Sequence, residues 1–372
     1  AGIGAIEELG SPMRVFKFGG ASVKDAAGVR NMAEVLRQFA TDDLLVVVSA
    51  MGKTTNALEA VVWAYSEGRD TKELMEALRR SHLSVLAEVA PDDVAAAAEL
   101  VLHFDKLNAY LKGKPSGNVD REYDQIVSYG ELWSTLIVSA HLKHAGLANT
   151  WLDARTIVRT DSSYRAAKVE WTACENLAER YLKPLLSEKP TRVVTQGFIG
   201  RTADGLTTTL GREGSDFSAA IFAYLLEAVS VTIWKDVPGM FNADPKLFPD
   251  TKLLSHISYR EAIELSYFGA SVIHPRTLQP LQKKHIPLYV RSFMDLNAAG
   301  STIDDRSEND SLIPSFIVKP KQLLISITPH DLSFIVEENL SGIFWLFAQR
   351  NVRIDLMQTS AVAFSVVVDD SP

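Results

Sequence analysis

The 372-residue chain holds one cysteine, Cys174. No intramolecular disulfide can form, as expected for a protein of a reducing compartment such as the cytoplasm. It lacks any window of about 18 uninterrupted apolar residues, so no membrane span is expected. It also lacks a basic excess. The 38 Lys and Arg are outnumbered by 46 Asp and Glu, for a formal net charge of −8, which argues against a nucleic-acid surface. His and Cys nowhere take zinc-site spacing, and no protein-built metal site is expected. Ala1 to Pro12 lack the basic start and apolar core of a signal peptide. Met13 directly precedes the first predicted strand, so 1–12 reads as an expression remnant outside the fold. There is no convincing repeat or low-complexity segment.

What is present is an ordinary globular composition, 47% apolar and 23% charged, long enough for a large core and more than one domain. Leu44 to Ser49 is a continuous apolar run, the pattern of a buried parallel strand. Further strands are predicted near 148–152, 192–195, 230–234 and 287–291. Helices are predicted at 70–90, 94–111, 123–144 (with Gly146 as its C-cap), 164–187, 215–227, 258–265 and 277–284. This alternation implies an α/β fold, a three-layer αβα sandwich around a mainly parallel sheet, over residues 13–315. Gly113 to Asp120 reads as a loop, Pro238 to Pro249 as an ordered loop over a ligand, and Asn297 to Asn309 as a hairpin or linker. From about Ile317 a β-α-β-β series follows: 323–328, 341–349, 354–357 and 363–368.

Chemistry concentrates at two glycine turns. Arg14 to Phe18 forms a strand that opens into Gly19-Gly20, with a helix from about Asp25. Bare N–H groups at a helix entrance bind anions, and Lys17 adds a full charge at the strand end. The second turn, Leu210-Gly211-Arg212-Glu213-Gly214-Ser215-Asp216, again leads from strand to helix. Ser215 is its predicted N-cap, Asp216 lies in the first turn, and Arg212 offers a planar fork for a carboxylate. Alone, either turn also admits a purely structural reading. Together they favour chemistry on phosphate. Gly52-Lys53-Thr54 mimics the end of a P-loop, but that motif needs glycine at position 47, where Val47 stands. Lys53 is expected to be solvated.

Seven motifs in order resemble those of the aspartokinases, in the amino acid kinase superfamily. They are K-F-G-G-A-S-V (17–23), S-A-M-G-K-T-T-N (49–56), S-Y-G-E (128–131), Q-G-F-I-G (196–200), L-G-R-E-G-S-D (210–216), W-K-D-V-P-G-M-F-N-A-D-P-K (234–246) and F-G-A-S-V-I-H-P-R (268–276). The resemblance implies phosphoryl transfer from ATP to the side-chain carboxylate of L-aspartate, giving 4-phospho-L-aspartate for lysine, threonine and methionine synthesis. It implies Lys17 and Asp216 as the catalytic pair. ATP with Mg²⁺ is expected against Lys17, Gly19, Gly20, Ser22, Lys235, Asp236, Phe241, Asp244 and Lys246. L-Aspartate is expected against Ser49, Thr55, Glu131, Phe198 and Arg212, with Arg212 on the α-carboxylate and Glu131 on the α-ammonium. His274 is expected to be structural.

The chain departs from the family pattern in places. Phe241 stands for a frequent tyrosine and Lys246 for a frequent arginine. Ser271 takes the place of a frequent phosphate-binding lysine, while Lys235 occupies a frequent threonine site. A relocation of positive charge from 271 to 235 is one reading, and an exposed Lys235 the other. Residues 316–372 resemble an incomplete ACT regulatory domain, of which the family usually carries two. A complete pair would take an amino-acid effector and pair between subunits, so a homo-oligomer is expected. Two other readings are a different amino acid kinase, such as a glutamate or acetylglutamate kinase, and a non-catalytic amino-acid sensor.

Overall fold

The computed structural model describes residues 12–268, 270 and 273–370. The proposed expression remnant, apart from Pro12, and Ser271 lie outside the described residues. Twelve strands build the larger unit. They are β1 (Met13–Phe18), β2 (Asp43–Val48), β3 (Thr150–Leu152), β4 (Arg192–Gln196), β5 (Ile199–Arg201), β6 (Thr207–Thr209), β7 (Ser230–Lys235), β8 (Met240–Phe241), β9 (Leu253–Leu254), β10 (His256–Ser258), β11 (Leu288–Ser292) and β12 (Ser301–Asp304). Eight of them form one sheet, ordered β10-β12-β11-β7-β1-β2-β4-β3. From β11 to β3 every pairing is parallel, while β12 runs antiparallel to β11.

The sheet divides two hydrophobic layers, and side-chain alternation decides which residue enters which. On β1, Val15 packs into one layer and Phe16 and Phe18 into the other. On β2, Leu45 and Val47 part from Leu44, Val46 and Val48 in the same way. One layer holds α1 (Ala26–Arg37), α2 (Thr54–Ser66), α3 (Lys72–Val89), α4 (Val94–Leu111), α5 (Val119–Val127) and most of α6 (Tyr129–His144). The other holds α7 (Trp171–Leu177), α8 (Gly214–Leu226), α9 (Tyr259–Tyr267) and α10 (Pro275–Lys283). Phe16 and Phe18 pack on Trp234 with ring centroids 5.5 and 6.0 Å apart. Each fully buried side chain of this kind contributes roughly 1.5–3 kcal/mol.

Three helix predictions need correction. The predicted helix 123–144 is two helices meeting at Ser128, whose hydroxyl donates back to Gln125 O (3.3 Å), with Gly130 just beyond. Back-bonding serines beside glycine break helices in this way. The predicted helix 164–187 begins only at α7, which continues as a π-helical turn (Ala178–Leu182) and a 3-10 helix (Lys183–Ser187). Its first residues form a loop because Asp161 accepts from Ser163 N and Lys168 N, and Ala167 N is committed to Thr209 O. The predicted N-cap Ser215 is already helical, and Glu213, at φ 53°, holds the cap position. Helix α2 and strands β5, β8, β9, β10 and β12 went unpredicted, β5 starting within the Q-G-F-I-G motif.

The smaller unit is an antiparallel sheet ordered β13 (Gln322–Ile327), β15 (Phe364–Asp369), β14 (Ile354–Thr359), with α11 (Glu337–Gln349) on one face. Phe364, Val366 and Val368 form its core with Leu340, Ile343 and Phe347. Among the described residues no helix is long and apolar enough to cross a membrane.

Candidate active site

Strand β1 has β2 on one side and β7 on the other, the switch point at which open α/β sheets gather ligands beyond their strand ends. The turns after β1, β2, β4 and β7 converge there. Ser49 N donates to Phe18 O (3.1 Å), Gly52 N to Gly20 O (3.0 Å), and Gly197 N to Val48 O (3.1 Å). A Cβ on Gly20 would lie 2.8 Å from Ala50 O, so only glycine allows this approach. The diglycine turn winds into a short 3-10 turn, Gly20–Val23, before α1, whose N-cap Asp25 accepts from Gly28 N. No acceptor among the described residues takes the Gly19 N–H. Ser22 is buried, with its N–H committed to Gly19 O.

Alternation sends Lys17 to the face of Val15, toward α8. There its Nζ lies 2.9 Å from Asp216 Oδ1, with both side chains largely buried. The contact is an ion pair rather than an aligned hydrogen bond, since Oδ1 is buried without a well-angled donor. A Cβ on Gly19 would sit 3.2 Å from Lys17 Nζ, so Gly19 leaves the ammonium room at the strand end.

On one side of this pair the Q-G-F-I-G turn packs under the start of α8. Phe198 takes φ 74°, donates from its N–H to Ser218 Oγ (2.8 Å) and accepts from Leu210 N (2.9 Å). A Cβ on Gly214 would come 2.6 Å from the Phe198 ring, and one on Gly197 2.6 Å from Ser215. Ser49 Oγ donates to Ser215 Oγ (2.9 Å), while Ser134 Oγ donates to Ser49 O (2.7 Å). Glu131, in the first turn of α6, is buried, and its Oε2 has no hydrogen-bond partner among the described residues. Burial pushes its carboxyl up to about 8, against the opposing pull of the Glu131 and Ala50 N–H groups. Arg212 is exposed and makes no ion pair among the described residues. Thr55 is half-buried in the first turn of α2, and Lys53 is exposed.

On the other side Lys235, Phe241, Asp244 and Lys246 line one cleft of about 360 Å³. Lys235 shares the face of Lys17, because Lys17 pairs in register with Ile233 and Lys235 lies two residues on. Asp236 is exposed and lies outside the cleft lining. Segment 315–318, which connects the two units, completes the cleft wall. It is held by Asn242, which donates from Nδ2 to Pro314 O (2.9 Å) and accepts from Phe316 N at its carbonyl (2.7 Å). The sequence carries no local signal for this contact. His274 caps α10 by accepting from Arg276 N, as expected of a structural residue. A larger depression, of about 930 Å³ between α3 and α4, holds none of these groups and is open surface.

The Amino acid kinase family profile matches residues 12–292. The lysine-sensitive aspartokinase 3 of Escherichia coli K12 is 33% identical over 361 residues, covering 96% of this chain and 79% of that protein. A chloroplastic bifunctional aspartokinase/homoserine dehydrogenase 2 of Zea mays is 33% identical over 340 residues, 86% of this chain. This chain spans 36% of that protein. The crystal structure of E. coli aspartokinase III with aspartate and ADP superposes with a TM-score of 0.83 at 32% identity, over 96% of this chain and 79% of that one.

The Glu131 environment has a measurable consequence. Folded, its carboxyl keeps a proton up to about pH 8. Unfolded, it does so only to about 4.5. The folded state therefore binds more protons between these values, and stability is lost as pH rises through that window. Glu131→Gln removes the term. The variant should exceed the parent's stability at pH 8 by on the order of 1–3 kcal/mol, with the gap closing toward pH 5. Urea denaturation at both pH values checks this, and a gap independent of pH contradicts it.

Proposed function

The chain belongs to the amino acid kinase family, in its aspartokinase branch, and we propose that it phosphorylates the side-chain carboxylate of L-aspartate with ATP through the site around Lys17 and Asp216. The product is 4-phospho-L-aspartate, the entry to lysine, threonine and methionine synthesis. The observation that carries this reading is the Lys17–Asp216 pair at 2.9 Å, at the sheet's switch point beside the diglycine turn.

A carboxylate is already a nucleophile, so the site needs no strong base. Its task is to hold two anions in line and neutralise their charge. A side-chain oxygen of aspartate forms a new bond to the terminal phosphorus. The bond from that phosphorus to the bridging oxygen breaks, and its electron pair leaves on ADP. Lys17 holds its ammonium at the transferring group, and Asp216 keeps that ammonium in place. The uncommitted Gly19 N–H adds a donor, and Ser22 supports the same turn. Lys235 and Lys246 supply charge along the phosphates, Phe241 supplies an apolar wall, and Asp244 accepts from Lys246 N (2.9 Å), which fixes the loop. Asp236 sits at the rim. Among the described residues no three His, Cys, Asp or Glu side chains converge. A magnesium ion would be held here mainly by phosphate oxygens and water, and would supply charge neutralisation.

For the acceptor, Arg212 grips the α-carboxylate and Glu131 accepts from the α-ammonium. Ser49, Thr55 and Phe198 shape the space between them. The unpartnered Glu131 Oε2 supports this, because an arriving ammonium favours the ionised form that burial disfavours. Residues 13–315 form the catalytic unit, and 316 onward an ACT-like unit that would take an amino-acid effector as part of a pair. Exposed Leu324, Trp345 and Leu356 on that unit support subunit association.

A coupled assay with ATP and L-aspartate should show transfer that requires both, with L-glutamate and N-acetylglutamate as poor acceptors. Transfer to either of those instead would assign a sister activity. Lys17→Met should cost at least about a hundredfold in kcat while the circular dichroism spectrum is kept. Near-normal turnover would remove Lys17 from the chemistry. Lys235→Thr should raise KM for ATP several-fold, and an unchanged KM would leave Lys235 a surface residue.

A further inference from the structure

Arg212 makes no ion pair among the described residues, yet its turn is tightly held. Arg276, in the first turn of α10, donates from one terminal guanidinium nitrogen to Leu210 O (2.5 Å) and from the other to Arg212 O (2.7 Å). The same guanidinium lies over the ring of Phe217, 4.5 Å from its centroid. One rigid plane thus fixes both carbonyls that flank Gly211, the residue whose φ of 80° would otherwise make this turn a swivel. The entry of Arg276 is itself fixed, with Pro275 at the first helical position and His274 capping.

The opposite side is held by Asp124 on α5, which is fully buried. It accepts from Thr209 N (2.8 Å), Thr209 Oγ1 (2.6 Å) and Arg165 N (3.0 Å). Arg165 O in turn stands 3.0 Å from where a Cβ on Gly211 would fall. Burial pushes Asp124 up to about 6 against those bonds, so its placement has a cost that plain packing would not need. Helix α5 runs through Ser128 into α6, which carries Glu131. The holder of the Arg212 turn and the ammonium acceptor are therefore carried by adjoining helices.

We propose that Arg276 and Asp124 are positioning residues that hold the Leu210–Arg212 turn from two sides, so that Arg212 and Glu131 stand at the separation of the α-carboxylate and α-ammonium of a bound amino acid. The assignment rests on Arg212 as the carboxylate ligand. Lysine at 276 keeps the charge but cannot bridge two carbonyls in one plane or stack as Arg276 does.

The test measures KM for L-aspartate and for ATP, kcat, and the rise in melting temperature on adding L-aspartate, for Arg212→Lys, Arg276→Lys, Asp124→Asn and the double Arg212→Lys/Arg276→Lys. Arg276→Lys should raise KM for aspartate about tenfold or more, leave KM for ATP within about twofold, and blunt the aspartate-induced shift. Asp124→Asn should move the same quantities the same way, which keeps the test open if one variant folds poorly. The double variant should be little worse than Arg212→Lys alone. A folded Arg276→Lys with unchanged aspartate KM, equal rises for both substrates, or losses that multiply in the double variant would overturn the clamp. If Arg212→Lys itself leaves aspartate KM unchanged, the carboxylate reading falls and the clamp with it. If only Arg212→Lys raises it, the clamp alone falls.

Discussion

Everything at the site depends on where one lysine points. Position 17 has the parity of Val15, so the alternation that buries Phe16 and Phe18 among α1–α6 delivers the Lys17 ammonium to the opposite layer. There the start of α8 presents Asp216 at 2.9 Å. A shift of β1 by one residue would send Lys17 into the aromatic cluster around Trp234 and a phenylalanine toward Asp216. The hydrophobic pattern of a buried parallel strand thereby also fixes the chemistry. Phosphoryl transfer requires a cation held at one point, and the alternation along β1 places Lys17 where it could supply one.

Around that pair the site is a balance of cost and offset. Asp216 partly offsets the buried charge of Lys17, and glycines at 20, 197 and 214 let three turns close to distances that a Cβ would forbid. At Glu131 the Glu131 and Ala50 N–H groups offset burial only in part, and burial pushes the carboxyl up to about 8. An ammonium arriving at Glu131 would favour its ionised form, and the exposed Arg212 carries a planar fork that fits a carboxylate. The cleft lined by Lys235 and Lys246 is closed partly by the connector to the smaller unit, through Asn242 and Phe316.

Much of this was legible in the sequence because the signals are local. The diglycine turn, Asp216 in the first turn of α8 and the buried run of β2 each follow from a few adjacent residues. The two-layer sheet follows from the strand–helix rhythm. What stayed hidden depends on partners distant in the chain. Ser215 looks like an N-cap until Ser49 is seen to bind its hydroxyl. The break at Ser128 is masked by helical residues on both sides. Residues 164–170 look helical, but Asp161 and Thr209 take their backbone donors. Asn242, Asp124 and Arg276 act on backbone groups that no spacing rule connects to them. The parity of Lys235 with Lys17, by contrast, could have been counted from the register of two apolar strands.

The most direct test is a double-mutant cycle across Lys17 and Asp216, read on kcat with ATP and L-aspartate. If the ammonium works only while the carboxylate holds it, Lys17→Met/Asp216→Asn will be no slower than the slower single variant, the non-additivity expected of groups acting as a unit. Losses that multiply, with each residue contributing independently, would contradict the pair as the centre of the site.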